Sequence, residues 1–277
     1  MRSGFEEKQF ESIAQSELQN SSQSRVRFYP PGQVLEGLLG FDLGAYLPKD
    51  STLWATIGTM YAVGLTRSHW AANIPPGSPM PDRSLNVFFQ YKTAEYLSGT
   101  KASFYEEFGG PYFRFGIDRE LNKRGGSQHS NLLALDSAPS SLALVRYVAP
   151  RFSKYSSLST HSNNGRVLEK SIFVRPRDFE PDHKRCVYDA PPTLVKMNPD
   201  GSNAIGESWS TTLSHVAEQV SNGPEFAEGI VKLASVIPGR FDPPTTTELR
   251  PEVVQSALKI MSFAFRSGLN WSISVGA

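Results

Sequence analysis

The chain has 277 residues, of which 39% are hydrophobic and 20% charged, and a formal net charge of +1. These are ordinary globular values that exclude a disordered or collagen-like chain, and near-neutrality excludes recruitment to nucleic acid by global charge alone. The single cysteine, Cys186, excludes an intrachain disulfide framework and a thiolate zinc knuckle, and reads as a half-buried strand residue.

No apolar run approaches the roughly 20 residues of a membrane helix, and residues 1–8 lack an apolar signal core, so a soluble, cytoplasmic protein without membrane contact is expected. The charge is unevenly spread. From Arg83 to Val187 there are sixteen Lys and Arg against ten Asp and Glu, an excess of six. That suits a phosphate-facing surface, or equally a solvated basic face.

In chain order, residues 5–23 are polar, with Phe5, Phe10, Ile13 and Leu18 at loose helical spacing; they read as a peripheral helix or a partly disordered arm. Residues 33–39 predict a short helix stopped by Gly40, and residues 41–47 a strand. Residues 48–83 contain Trp54, Trp70 and the run Ile74-Pro75-Pro76-Gly77-Ser78-Pro79-Met80-Pro81, and predict a strand or hairpin followed by an ordered loop. The clearest segment is residues 85–92. Its aromatic and β-branched residues predict a strand, with Gln90 and Lys92 on one face and Val87, Phe89 and Tyr91 on the other.

Downstream, strands are predicted over residues 111–117, 141–148, 171–174 and 186–188, and a helix over 127–135. Helices follow at 206–220, 225–236 and 251–265, with a hinge or loop at 241–247 and a closing strand at 270–275. The pattern predicts an α/β fold with a central mixed sheet flanked by helices. Three parts are expected: an arm at 1–32, a core at 33–190 and a helical extension packed on it at 191–277.

Metal-dependent phosphodiester cleavage needs acidic oxygens to hold a cation, a group to orient an attacking water, and relief of the phosphate's developing charge. Here Glu36 sits on the short helix, Asp42 follows Gly40-Phe41 at the head of a strand, and Gln90-Tyr91-Lys92 ends a later strand. This order resembles the PD-(D/E)XK, or restriction-endonuclease-like, nuclease superfamily, and more closely its Mrr-like branch, in which glutamine replaces the second strand acid. Phe88-Phe89-Gln90-Tyr91-Lys92 fits that form. The long gap between Asp42 and Gln90, and the absence of a strand acid at Gln90, depart from the commoner pattern.

The resemblance spans residues 33–150 and implies a restriction-endonuclease-like core that is a Mg²⁺- or Mn²⁺-dependent endonuclease acting on DNA, in a bacterial or phage defence setting. It implies Asp42 as main metal ligand, Gln90 offering its carbonyl to metal or water, Lys92 polarising the nucleophile, and Glu36 supporting a second metal or the water network. Gln128, on the helix after the catalytic strand, is an auxiliary candidate or simply a helix-start cap. The alternative is an inactive nuclease-like scaffold that binds DNA or a partner defence protein. A helicase or ATPase partner and a homodimer both fit such a protein. Read from the residues alone, the alternatives are a solvent-facing helix residue for Glu36, a helix or strand cap for Asp42, and an ordinary surface lysine ending a strand for Lys92.

Rival motifs are weak. His69, His129, His161, His183 and His215 show no i, i+4 pairing and no His-Glu-x-x-His. There is no Gly-x-Ser-x-Gly elbow and no phosphate loop, so a nucleotide-driven motor is excluded from this chain. Trp54, Tyr61 and Trp70 read as core or loop packing, or as a base-stacking platform.

Overall fold

The computed structural model describes residues 3–21, 27–29, 44–46, 83–118, 127–180, 182–189, 194–198, 203–242 and 252–275. Glu36, Asp42 and the aromatic residues at 54, 61 and 70 lie outside them. The chain divides into two compact units. One comprises Met1–Ser22, Phe89–Ser137 and Val145–His215; the other comprises Gln23–Phe88, Ala138–Leu144 and Val216–Ala277.

The described strands are β1 (Arg27–Tyr29), β2 (Gly44–Tyr46), β3 (Ser84–Tyr91), β4 (Glu95–Leu97), β5 (Tyr112–Gly116), β6 (Ala143–Pro150), β7 (Ser171–Val174), β8 (Arg185–Tyr188), β9 (Leu194–Asn198), β10 (Asn203–Ile205) and β11 (Asn270–Val275). The helices are α1 (Glu7–Ser21), α2 (Gln128–Asp136), α3 (Tyr155–Asn163), α4 (Trp209–Ser221), α5 (Phe226–Val236) and α6 (Glu252–Arg266). The fold is thus α/β, with mixed and antiparallel sheets accompanied by helices. Among the described residues, no helix is long and apolar enough to cross a membrane.

A four-stranded sheet has the order β11-β3-β6-β7. Asn86 N donates to Leu142 O at 3.3 Å and Lys92 N to Val148 O at 2.8 Å, so the bonds between β3 and β6 advance in the same direction along both chains. That is the parallel pattern, whereas β6 and β7 pair antiparallel. All eight residues of β3 are buried, as are all eight of β6. Both faces of these strands are therefore covered, which explains their near-continuous apolar sequences.

Where the sequence predicts one central sheet, the strands form a second large one as well. Its order is β10-β9-β8-β5-β4, and each neighbouring pair runs antiparallel. In the unit that holds it, Phe113 stacks on Tyr188, and Phe115 meets both Tyr147 and Tyr188. Cys186 is fully buried on β8 rather than half-buried, and burial pushes its thiol well up, away from thiolate chemistry.

The N-terminal segment is an ordered helix. Phe10 meets the Tyr91 ring edge-on at 5.7 Å, Phe5 and Phe10 both approach Phe152, and Gly4 N donates to Ser153 O at 2.7 Å. At the far end of α1, the Glu17 carboxylate accepts from Val167 N at 2.6 Å and from Leu168 N at 3.0 Å. The helix is thereby clamped near both ends.

Candidate functional site

Gln90 and Lys92 stand at the C-terminal end of β3, where the parallel ladder with β6 runs out. The mouths of α/β sheets lie at such strand ends, because side chains there leave the packed interior while their backbone stays fixed in the ladder. Lys92 illustrates this: its amide still donates to Val148 O, and its half-buried side chain extends beyond the strand.

The Lys92 ammonium donates to Gln128 Oε1 at 2.7 Å. Gln128 is the first residue of α2, but it is not the cap. Ser127 fills that role, its hydroxyl accepting from Ser130 N at 3.1 Å, which leaves the Gln128 side chain to face the lysine. His129 N donates to Asp118 O at 3.2 Å and so draws the end of β5 to the start of α2. The Asp118 carboxylate lies within electrostatic reach of Lys92.

Gln90 is 2% exposed. Its Nε2 donates to Tyr91 O at 3.0 Å, but its buried Oε1 has no hydrogen-bond partner among the described residues. Asn86, on the same strand face and 1% exposed, provides the contrast. Asn86 Nδ2 donates to Leu142 O at 3.0 Å, and its Oδ1 accepts from Trp271 Nε1 at 3.0 Å. A structural buried amide is satisfied at both ends, whereas Gln90 keeps an acceptor open at a cost of about 1–3 kcal/mol.

That cost makes a prediction. Gln90→Met, similar in shape and without the stranded acceptor, should match or exceed the wild type in urea unfolding. A clear loss of stability would instead mean that Gln90 is a structural amide.

Burial lowers the Lys92 pKa, while the charges of Glu7 and Asp118 oppose the shift. Burial likewise raises the Glu7 carboxyl, against the pull of Lys92 and of a backbone hydrogen bond from Thr93. Glu7 comes from the segment that reads as a peripheral arm, and it was missed in the sequence. The available signal was its position one helical turn before Phe10, the helix's most deeply buried aromatic residue.

Neither family models, nor curated proteins, nor solved structures give a match to this chain. The reading of the site therefore stands on its own chemistry. Of the residues singled out in the sequence, Gln90, Lys92 and Gln128 are among the described residues, and Lys92 and Gln128 are in direct contact. Glu36 and Asp42 fall outside the described residues.

A second group escaped the search for paired histidines. Glu180, Asp182 and His183 each offer a ligand atom, all within 4.8 Å of one another, and can hold a metal ion. The sequence signal was the compact run Glu180-Pro181-Asp182-His183. Both carboxylates are exposed and the imidazole is buried. His183 Nδ1 accepts from Glu180 N at 2.9 Å, so in the neutral ring the proton sits on Nε2, 3.9 Å from Asp182 Oδ1. That hydrogen bond ties Glu180 to His183 and is a structural role in itself.

Proposed function

We propose that this chain is a metal-dependent nuclease of the PD-(D/E)XK type, with DNA as its substrate. The observation that carries the reading is a half-buried ammonium, Lys92, held by Gln128 at a strand end, two residues beyond a buried amide whose carbonyl has no partner among the described residues. Neither feature is the usual outcome of packing. A lysine that needs only solvent would extend into it, and a buried amide that needs only packing would be satisfied at both ends.

The unpartnered Gln90 carbonyl suits a hard divalent cation, which takes neutral amide oxygens among its ligands. Such a cation, when bound, supplies Lewis-acid polarisation of the phosphate and a more acidic water. Asp42 and Glu36 are the residues expected to supply its negative charge. The chain's own contribution follows from the described geometry. Gln128 Oε1 accepts a hydrogen bond from the ammonium and fixes the side chain's direction, leaving Lys92's other donors for the attacking water or a phosphate oxygen. Burial strengthens that charge, because little water is present to screen it.

Incubation of the full chain with supercoiled plasmid and Mg²⁺ or Mn²⁺ tests the proposal. Nicking that requires the metal, stops with EDTA and is lost in Asp42→Ala is the expected result. Nicking that persists in EDTA, or equally in Asp42→Ala, would remove the proposed chemistry. Salt-dependent DNA binding without cleavage would favour the inactive-scaffold reading, since phosphate contacts alone release counterions.

A further inference from the structure

We infer that His129 and Tyr147 are positioning residues for the site: their buried hydrogen bond sets where Gln128 stands and, through Gln128, where the Lys92 side chain points. The step from placement to reaction rate rests on the proposed nuclease role of Lys92.

Both partners of the Lys92–Gln128 contact are registered on adjacent residues of β6. Lys92 N donates to Val148 O at 2.8 Å, which fixes the backbone from which the lysine stem leaves. On the other side, Gln128 is followed by His129, whose Nδ1 shares a hydrogen bond with the Tyr147 hydroxyl at 3.0 Å. Tyr147 is fully buried and His129 is 1% exposed. The Phe179 ring meets both edge-on, 6.0 Å from His129 and 5.5 Å from Tyr147, and Phe115 packs on Tyr147 at 5.7 Å. Aromatic neighbours thus enclose the two rings and shield the bond between them from water.

The rest of α2 shows why this bond matters for Gln128. The first turn buries His129 and Asn131, both polar, whereas the buried Leu132 and Leu135 come later. The far end is fixed separately: the Asp136 carboxylate accepts from Arg177 N at 3.2 Å and from Arg177 Nε at 2.7 Å. Directional bonds therefore locate the start of α2, namely His129 to Tyr147 and His129 N to Asp118 O at 3.2 Å, with Ser127 closing the turn on itself. A directional bond in a buried setting fixes position more tightly than apolar contact, which tolerates sliding. Its removal should loosen the helix start while the far end stays in place.

Tyr147→Phe provides the test, since it deletes the hydroxyl and keeps the ring. The first readout is the Gln128 side-chain amide in ¹H–¹⁵N NMR spectra of the full chain, identified by its loss in Gln128→Ala. In Tyr147→Phe its cross-peaks should move toward the positions they take in Lys92→Met, where the contact is gone. Cross-peaks unchanged from the wild type would overturn the inference. The second readout is plasmid nicking at a temperature where circular dichroism shows every variant folded. Tyr147→Phe should lower kcat about tenfold and change KM less than about twofold, short of the roughly 10²-fold cost of an ångström's misplacement. Added to Gln128→Ala, which removes the group being placed, it should slow nicking little further. At the other end of the bond, His129→Asn, whose side-chain amide can stand where Nδ1 stands, should keep more of the rate than His129→Leu. A wild-type rate for Tyr147→Phe, losses that multiply in the double variant, or equal losses in the two His129 variants would each overturn the inference. A wild type that cuts nothing would remove the nuclease reading, while the NMR comparison would still decide whether His129 and Tyr147 place Gln128.

Discussion

Lys92→Met should slow metal-dependent DNA cleavage by about 10²- to 10³-fold, the usual effect of deleting one preorganised group that meets developing charge. The same substitution should leave stability unchanged or raised. In the folded protein the Lys92 pKa lies below its ordinary 10.5, with burial the main cause. A lysine lowered in this way contributes stability only above 10.5, and loses that contribution as the pH falls through its folded value. At neutral pH the buried charge is therefore a burden on the fold, and methionine removes it while keeping the stem's packing. Activity falling while the urea midpoint holds or rises would mark Lys92 as a residue kept for chemistry at the expense of stability. Parallel loss of both would make it a structural lysine.

Glu207→Ala should cost about 3–5 kcal/mol in urea unfolding, the scale of breaking a buried ion pair by removing one partner. Glu207 precedes α4, and its backbone bridges to Phe173 on β7 in both directions, at 2.7 and 3.0 Å. Its side chain is 5% exposed and accepts twice from Arg146, at 2.9 and 3.0 Å, with Arg146 itself 4% exposed. Arg175 adds a third bond at 3.0 Å, and His215 Nδ1 lies 3.4 Å away. Alanine would strand the buried Arg146 guanidinium beside Arg175.

Burial pushes the Glu207 carboxyl up, but the Arg146 and Arg175 bonds and charges outweigh it, and the net shift is downward from 4.5. A lowered carboxyl contributes stability above its ordinary value and loses it as the pH falls through the folded one. The wild type should therefore lose this contribution below about pH 4.5, a loss absent from Glu207→Ala. A cost below about 1 kcal/mol for the variant would mean that the cluster rearranges to satisfy Arg146 in another way.

Much of the α/β pattern was legible in the sequence because it is written in local periodicity. β3, β6 and β7 are apolar runs bounded by turn residues, and α5 follows an apolar stripe whose Phe226, Ile230, Leu233 and Ala234 are buried. What escaped is what local periodicity does not encode. β4 and β10 have three residues each, none of them buried, so no alternation develops. α3, the Ser/Thr-rich segment Tyr155–Asn163, buries only Leu158 and has no side-chain cap from Lys154. The second sheet depends on pairings such as Phe113 with Tyr188, far apart in the chain.

The site divides in the same way. Period-two geometry put Gln90 and Lys92 together on one face, and the position of Gln128 on the following helix suggested its part. The Lys92–Gln128 contact itself required the fold, because Ser127 had first to take the cap. Glu7 required more, since its charge bears on Lys92 only once α1 docks through Phe10 on Tyr91.

The central claim, that the Lys92 end of β3 is a nuclease site, is tested most directly by initial rates of plasmid nicking in saturating Mn²⁺ for wild type and Lys92→Met, each checked for folding by circular dichroism. Metal-dependent nicking by the wild type, with a rate at least about 10²-fold lower for folded Lys92→Met, is the predicted result. Equal rates for the two proteins would contradict it.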